Sequence, residues 1–347
     1  MASLQVTAPL RQDEPPQRLL WLMAGAGKWA SQAICVATEL GIPDLLKDGS
    51  HSTDEIAKTL GVHPEAIFRL LRALAGLGLF SSQPGRRFSL NPSGYYLCTD
   101  WPGSLRGWAR FLGHDLSWRP SGGLLHSVRT GKPAFCRVFG MRVFDYLALH
   151  AEAAAVFHDA MTSISSIDIT SVAEAYDFSK IRTLIDVGGG HGLLLATILK
   201  ANAQMRGVLF DRPDAIEGAA TLVQREGVSN RCTLIAGDFF SSIPEGGDAY
   251  ILKSIIHDWD DDRAAQILCN CHRAMRPKAK LLLVERLLLP GDQPDLGKFI
   301  DLEMLTMTEG GRERSEVEFE QLFARNGFKL MHVTKAIPKS VIEAVRL

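Results

Sequence analysis

Past Ser179 the chain alternates short apolar runs with helical segments, and no other feature restricts its possible folds so tightly. The runs are Thr183-Leu184-Ile185-Asp186-Val187, Gly207-Val208-Leu209-Phe210-Asp211, Cys232-Thr233-Leu234-Ile235-Ala236, Ala249-Tyr250-Ile251-Leu252 and Lys280-Leu281-Leu282-Leu283-Val284. Strands this apolar are covered on both faces, and strands that alternate with helices wind into a parallel sheet between helical layers. An α/β, doubly wound, Rossmann-like sheet is therefore expected. The close differs: Phe328 to Ile337, then Pro338-Lys339, then Ser340 to Leu347 reads as two strands around a tight turn, an antiparallel edge.

At 347 residues the chain exceeds the usual size of one domain. Spacing from Leu19 to about Asp100 is helical, and within it Thr53-Asp54-Glu55-Ile56 offers a helix cap with acidic residues in the first turn. Leu60-Gly61-Val62 closes that helix, and Pro64 opens a second that runs to Leu79-Phe80. Pro84-Gly85 then turns a hairpin ending at Phe88-Ser89-Leu90, so the unit reads as a winged helix. The expected organisation is a winged-helix domain over 1–105, a helical connection over 106–178 and the α/β domain over 179–347.

A winged helix raises DNA binding, with the second helix in the major groove. Residues 64 to 75 carry only Arg69 and Arg72 as basic groups, opposed by Glu65, so a scaffold that pairs subunits is favoured. The net charge of -1 supplies no general attraction to nucleic acid or to an anionic membrane, and neither is expected as a partner. No run of about 18 apolar residues occurs, and Met1 to Arg18 lacks the apolar core of a signal peptide, so a cytoplasmic protein is expected. The six cysteines lie in apolar surroundings and read as reduced thiols; Cys269-Asn270-Cys271-His272 lacks zinc spacing, and no metal is expected.

In an open parallel sheet ligands sit beyond the carboxyl ends of the strands. The first such place is the turn Gly188-Gly189-Gly190-His191-Gly192, where Gly188 and Gly190 let the backbone approach a nucleoside-like ligand. A nicotinamide site would also begin this way, but the third glycine of that pattern falls on Leu193. Asp211 is placed to accept from both hydroxyls of a ribose. Asp238 can take the exocyclic amine of adenine while Phe239 packs on its ring, or Asp238 can simply cap a helix.

After the fourth strand comes Lys253-Ser254-Ile255-Ile256-His257-Asp258-Trp259. A phenol ionises near a pH of about 10 and imidazole near about 6.5, so a neutral histidine can take a phenolic proton as the oxygen attacks a sulfonium methyl. His257 is the candidate base. Glu285, just past the fifth strand, emerges on the same edge and would orient the ring.

Taken together, these stretches resemble the S-adenosylmethionine-dependent small-molecule O-methyltransferases, which include plant caffeic acid enzymes and bacterial antibiotic-pathway enzymes. The resemblance covers nearly the whole chain and rests on Gly78-Leu79-Phe80, Asp186 to Gly190, Phe210-Asp211-Arg212-Pro213, Gly237 to Phe240, Lys253 to Trp259 and Gly310 to Arg314. It implies S-adenosylmethionine as cofactor, held by Gly188, Gly190, Asp211, Asp238, Phe239 and Lys253, with Ser165 at its amino acid end. It implies His257 as base flanked by Glu285 and Glu313, and Asp258 helping to place an aromatic acceptor. Phe157, Met161, Met304 and Thr308 match acceptor-pocket positions. The winged helix would pair two copies as a homodimer. Relatives that keep the cofactor but cyclise or hydroxylate their substrate are the alternative. Phe239 stands where many relatives have methionine, and Arg212 where plant members often have leucine.

Overall fold

The computed structural model describes residues 27–336 and 338–347, and of Ser166 and Ile167 the backbone. Met1 to Arg18, the start of the helical region at Leu19, and Ile337 lie outside the described residues. The chain divides into two compact units, the first ending at His114 and the second beginning at Asp115.

In the first unit, helices α1 (Ala30–Glu39) and α2 (Ile42–Leu45) precede a short strand β1 (His51–Ser52). Helix α3 (Thr53–Leu60) is capped by Ser52 rather than Thr53: Ser52 and Glu55 close a reciprocal capping box, while the Thr53 hydroxyl donates to Arg86 O at 2.9 Å. Helix α4 (Pro64–Gly76) stops short of Phe80, which instead opens β2 (Phe80–Gln83). Strand β3 (Arg87–Leu90) lies between β1 and β2. Phe80, Phe88, Ile67, Leu71 and Leu74 are buried together, which is what the spacing of the winged helix requires. Helix α5 (Arg106–Gly113) packs on α1, where Gln32 donates to Gly113 O at 3.3 Å.

The second unit begins with four short helices, α6 (Asp115–Ser121), α7 (Leu124–Thr130), α8 (Ala134–Phe139) and α9 (Val143–Leu149). The long helix α10 (Ala151–Ala175) follows. It lies inside the stretch expected to be helical, and Ser163 and Asp168, which interrupt its apolar pattern, are nevertheless buried.

From there the chain runs β4 (Thr183–Val187), α11 (Leu193–Ala201), β5 (Arg206–Asp211), α12 (Pro213–Arg225) and β6 (Cys232–Ala236). It continues through β7 (Ala249–Lys253), α13 (Asp261–Ala274), β8 (Lys280–Glu285), α14 (Gly297–Met307), α15 (Glu316–Arg325), β9 (Phe328–Thr334) and β10 (Ser340–Arg346). The sheet order is β6-β5-β4-β7-β8-β10-β9, parallel through β8 and antiparallel at β10 and β9. Alternate residues of each strand face two separate cores: Leu184 and Leu209 meet α10 and α11 on one side, Ile185 and Leu283 meet α13 and α15 on the other. Strand order reverses between β4 and β7, and a crevice at their carboxyl ends is where a ligand fits such a sheet.

Candidate active site

The glycine turn leaves β4 at that reversal. Gly188 has φ 71°, its N–H donates to Phe210 O at 2.7 Å, and a Cβ there would lie 2.5 Å from Ile255. Only glycine combines that backbone with so close a neighbour. Gly190 N–H donates to Asp211 Oδ2 and Arg212 N–H to Asp211 Oδ1, both at 2.7 Å. Burial nevertheless raises the Asp211 carboxyl above its usual range, against the pull of those amides. Asp238 accepts from Phe240 N–H at 2.9 Å and Ser241 Oγ at 3.3 Å, so it caps a turn and still has lone pairs free for a ligand. The Phe239 ring lies edge-on to Phe240 and Trp259 at 4.9 and 6.2 Å.

Lys253 ends β7 and donates to Ser165 Oγ on α10 at 2.8 Å. Beside it, Asp186 is buried with neither carboxylate oxygen hydrogen-bonded, and burial followed by the charge of Asp211 pushes its carboxyl up to about 7. Burial pushes the Lys253 ammonium down to about 7, with Lys339 adding to that and Asp168, Asp186 and Glu285 opposing it. The sequence placed Asp186 in the motif that opens the glycine turn but gave it no role of its own.

His257 sits in a 3-10 turn (Ile256–Asp258) that begins two residues beyond β7, after Ser254 and Ile255. Its Nδ1 is 2.9 Å from Glu313 Oε1 and 3.8 Å from Glu285 Oε2, while Nε2 is 3.5 Å from Asp258 Oδ1. Glu285 is the last residue of β8, and its Oε1 accepts from the amides of Ile255 and Ile256 at 3.1 and 2.9 Å. One carboxylate thus orients both the ring and the backbone that carries it. Burial would lower the affinity of His257 for a proton, but Glu285, Asp258 and Glu313 outweigh it and raise the ring to about 9. Burial raises Asp258 to about 6, whereas the hydrogen bond from His257 overcomes burial at Glu313 and holds it low. Ligand atoms of His257, Glu285 and Glu313 fall within 4.8 Å of one another, a spacing that a small cation can bridge.

The segment Gly310 to Arg314 binds this turn from the far side. Arg312 N–H donates to His257 O at 2.7 Å, and the buried Arg314 guanidinium donates to Ile256 O and Trp259 O, each at 3.0 Å. A Cβ on Gly311 would overlap the Thr308 hydroxyl and the carbonyl oxygens of His257 and Asp258. Thr308 in turn donates through N and Oγ1 to Met304 O at 2.9 and 2.8 Å. Phe157 meets Phe144 edge-on at 6.3 Å, and Phe144 stacks on Trp259 at 5.7 Å. Both sets of expected pocket residues therefore lead to the turn that carries His257; Met161, one helical turn after Phe157, is half-buried.

All six cysteines are free, and burial raises those whose thiols shift, Cys271 and Cys232 most strongly. Among the described residues no helix is long and apolar enough to cross a membrane.

Comparison with known proteins shows the family of the chain. The O-methyltransferase domain family matches residues 122–329, and the O-methyltransferase dimerisation domain family matches residues 24–100. A phenazine O-methyltransferase of Lysobacter antibioticus is 39% identical over 335 residues, covering 96% of this chain and 98% of the relative. The crystal structure of LaPhzM superposes with a TM-score of 0.90 at 38% identity, covering 96% of this chain and all of that one. An O-methyltransferase of neocarzinostatin biosynthesis, solved with S-adenosylmethionine and 2-hydroxy-5-methyl naphthoic acid, gives a TM-score of 0.77 at 31% identity, covering 93% and 97% of the two chains. With its family domain, its dimerisation domain and near full-length relatives all in agreement, the chain belongs to the O-methyltransferase family.

Proposed function

We propose that the chain transfers methyl from S-adenosylmethionine to a phenolic hydroxyl of an aromatic small molecule, with His257 receiving the hydroxyl proton. The observation that carries this reading is the clamp on His257: Glu313 and Glu285 both lie on the Nδ1 side, which leaves Nε2 for the acceptor.

The residues present fit the cofactor. A Cβ at Gly190 would meet nothing within 4 Å, so the turn is open on the side a ligand approaches. Buried Asp186, without a hydrogen-bond partner, suits a neighbouring cationic group. When bound, S-adenosylmethionine supplies an electrophilic methyl on a positively charged sulfur. Gly188, Gly190 and Asp211 would hold its ribose side, Asp238 and Phe239 its adenine, and Lys253 with Ser165 its amino acid end. Nε2 of His257 would take the proton that the acceptor hydroxyl gives up on methylation. A ring raised to about 9 is well matched to a phenol near about 10, so the proton moves with little penalty. Asp258, beside Nε2, is placed to hold the acceptor hydroxyl. Phe157, Met161, Met304 and Thr308 would wall an aromatic ring, in keeping with the phenazine and naphthoic acid named for the relatives. The match over 24–100 supports pairing of two copies through the first unit.

Incubation with methyl-labelled S-adenosylmethionine and a panel of fused-ring phenols tests the reading. Label in the product supports it; a product altered without label would replace it with a cyclisation or hydroxylation that uses the same cofactor.

A further inference from the structure

A buried ammonium from the end of the chain reaches the turn between the two halves of this site. Lys339, the residue before β10, has a side chain only 12% exposed, and its Nζ lies 3.7 Å from Asp168 Oδ2 on α10. Asp168 is itself fully buried, and neither of its oxygens accepts a hydrogen bond, so the ammonium is its counter-charge. An isolated carboxylate so deep in the protein would be strongly destabilising. The same Nζ donates to the hydroxyl of Ser254.

Ser254 is the residue between Lys253 and the Ile255–His257 segment. It takes φ 56°, one of three described non-glycine residues with positive φ. A serine adopts that conformation only where its surroundings impose it. Two of those surroundings are visible: Ser254 N–H donates to Val284 O at 3.0 Å, and Lys339 holds the hydroxyl. Ser165 and Asp168 stand three residues apart on one face of α10, one taking Lys253 and the other Lys339.

We propose that Lys339 is a positioning residue for methyl transfer, fixing the left-handed turn at Ser254 that aims Lys253 to one side and His257 to the other. Asp168 draws the ammonium in, and the antiparallel hairpin of β9 and β10 delivers it. The C-terminal edge is thereby part of the catalytic apparatus and more than a lid on the sheet. The inference rests on the function proposed above for what Lys253 and His257 do.

Four variants test it: Lys339→Met, Lys339→Arg, Ser254→Ala and the double variant Asp168→Asn/Lys339→Met. Ser254→Ala keeps both charges and removes only the hydroxyl, so it folds even if Lys339→Met does not. In Lys339→Met and Ser254→Ala, kcat should fall about tenfold or more with the acceptor KM little changed, as expected when reacting groups are misplaced. The double variant, with no unpaired buried carboxylate, should regain thermal stability but not kcat. Lys339→Arg should recover part of the lost kcat. Wild-type kcat in Ser254→Ala or in the double variant would overturn the proposal. Amide exchange over residues 254–258 reads the same turn without any acceptor and should quicken about tenfold in the double variant. Unchanged exchange there also overturns it. A wild-type chain that transfers no methyl would instead overturn the proposed function, and the exchange result would still decide the role of Lys339.

Discussion

His257 has three carboxylates within 3.8 Å of its ring nitrogens, and their combined charge decides its behaviour. Replacing it with alanine should lower kcat by about a hundredfold or more, while calorimetry of S-adenosylhomocysteine binding stays near wild type. The ring acts as a base only when neutral, so kcat/KM should rise with pH towards about 9, the value to which the carboxylates raise it. The same shift has the opposite effect on stability. A raised histidine contributes fully below its unfolded value of about 6.5, and that contribution is lost as pH climbs through about 9, which urea melts at pH 6 and pH 10 would measure. His257 and Glu285 were legible as a pair because each stands at the carboxyl end of a strand on the same sheet edge. Lys339 and Asp168 were not, since 171 positions separate them and neither belongs to a motif. The signal available was weaker: Asp168 is a lone charge between Ile167 and Ile169.

Among the elements, the connection from α14 to α15 supports the site most directly. Arg314 is 1% exposed and donates to two backbone carbonyls of the 256–259 turn as well as to Asp261 at 2.8 Å. Arg314→Met removes the charged donors to Ile256 O, Trp259 O and Asp261, and Ile256 O keeps only the Trp259 N–H, so unfolding in urea should show a loss of about 2–3 kcal/mol. Turnover should fall in the same variant, because the turn carrying His257 loses its outer brace. Gly311→Ala should be more damaging to activity than to secondary structure by circular dichroism, since the added methyl overlaps His257 O and Asp258 O directly. At this scale the sequence was read well for the strands, whose apolar runs coincide with β4 to β8. The helical stretch expected over 106–178 contains α10 whole, although buried Ser163 and Asp168 break its apolar periodicity. The sequence was read long for α4, which ends at Gly76 while Phe80 turns into the wing.

For the whole molecule, the first unit should hold two copies together and leave DNA alone. The wing cations are already engaged, Arg86 with Glu65 at 2.9 Å and over the Phe68 ring at 4.1 Å, Arg87 with Glu55 at 3.3 Å, and Arg72 of α4 lies over the same ring at 5.5 Å. Light scattering at micromolar concentration should therefore give twice the 38.1 kDa chain mass, and a gel with duplex DNA should show no salt-sensitive shift. Sequence by itself determined the alternation of strands and helices, the glycine turn after the first strand, and the strand-end acids and histidine. Those are local consequences of hydrophobic period and turn chemistry, and they need no knowledge of which segments meet. Only the tertiary structure decided that Glu313 rather than Glu285 makes the close bond to His257. It alone brought Ser165, Asp168 and Lys339 around the turn at Ser254. Charge pairing acts through space over a few ångströms, and the order of residues along the chain does not encode which buried charges will be neighbours.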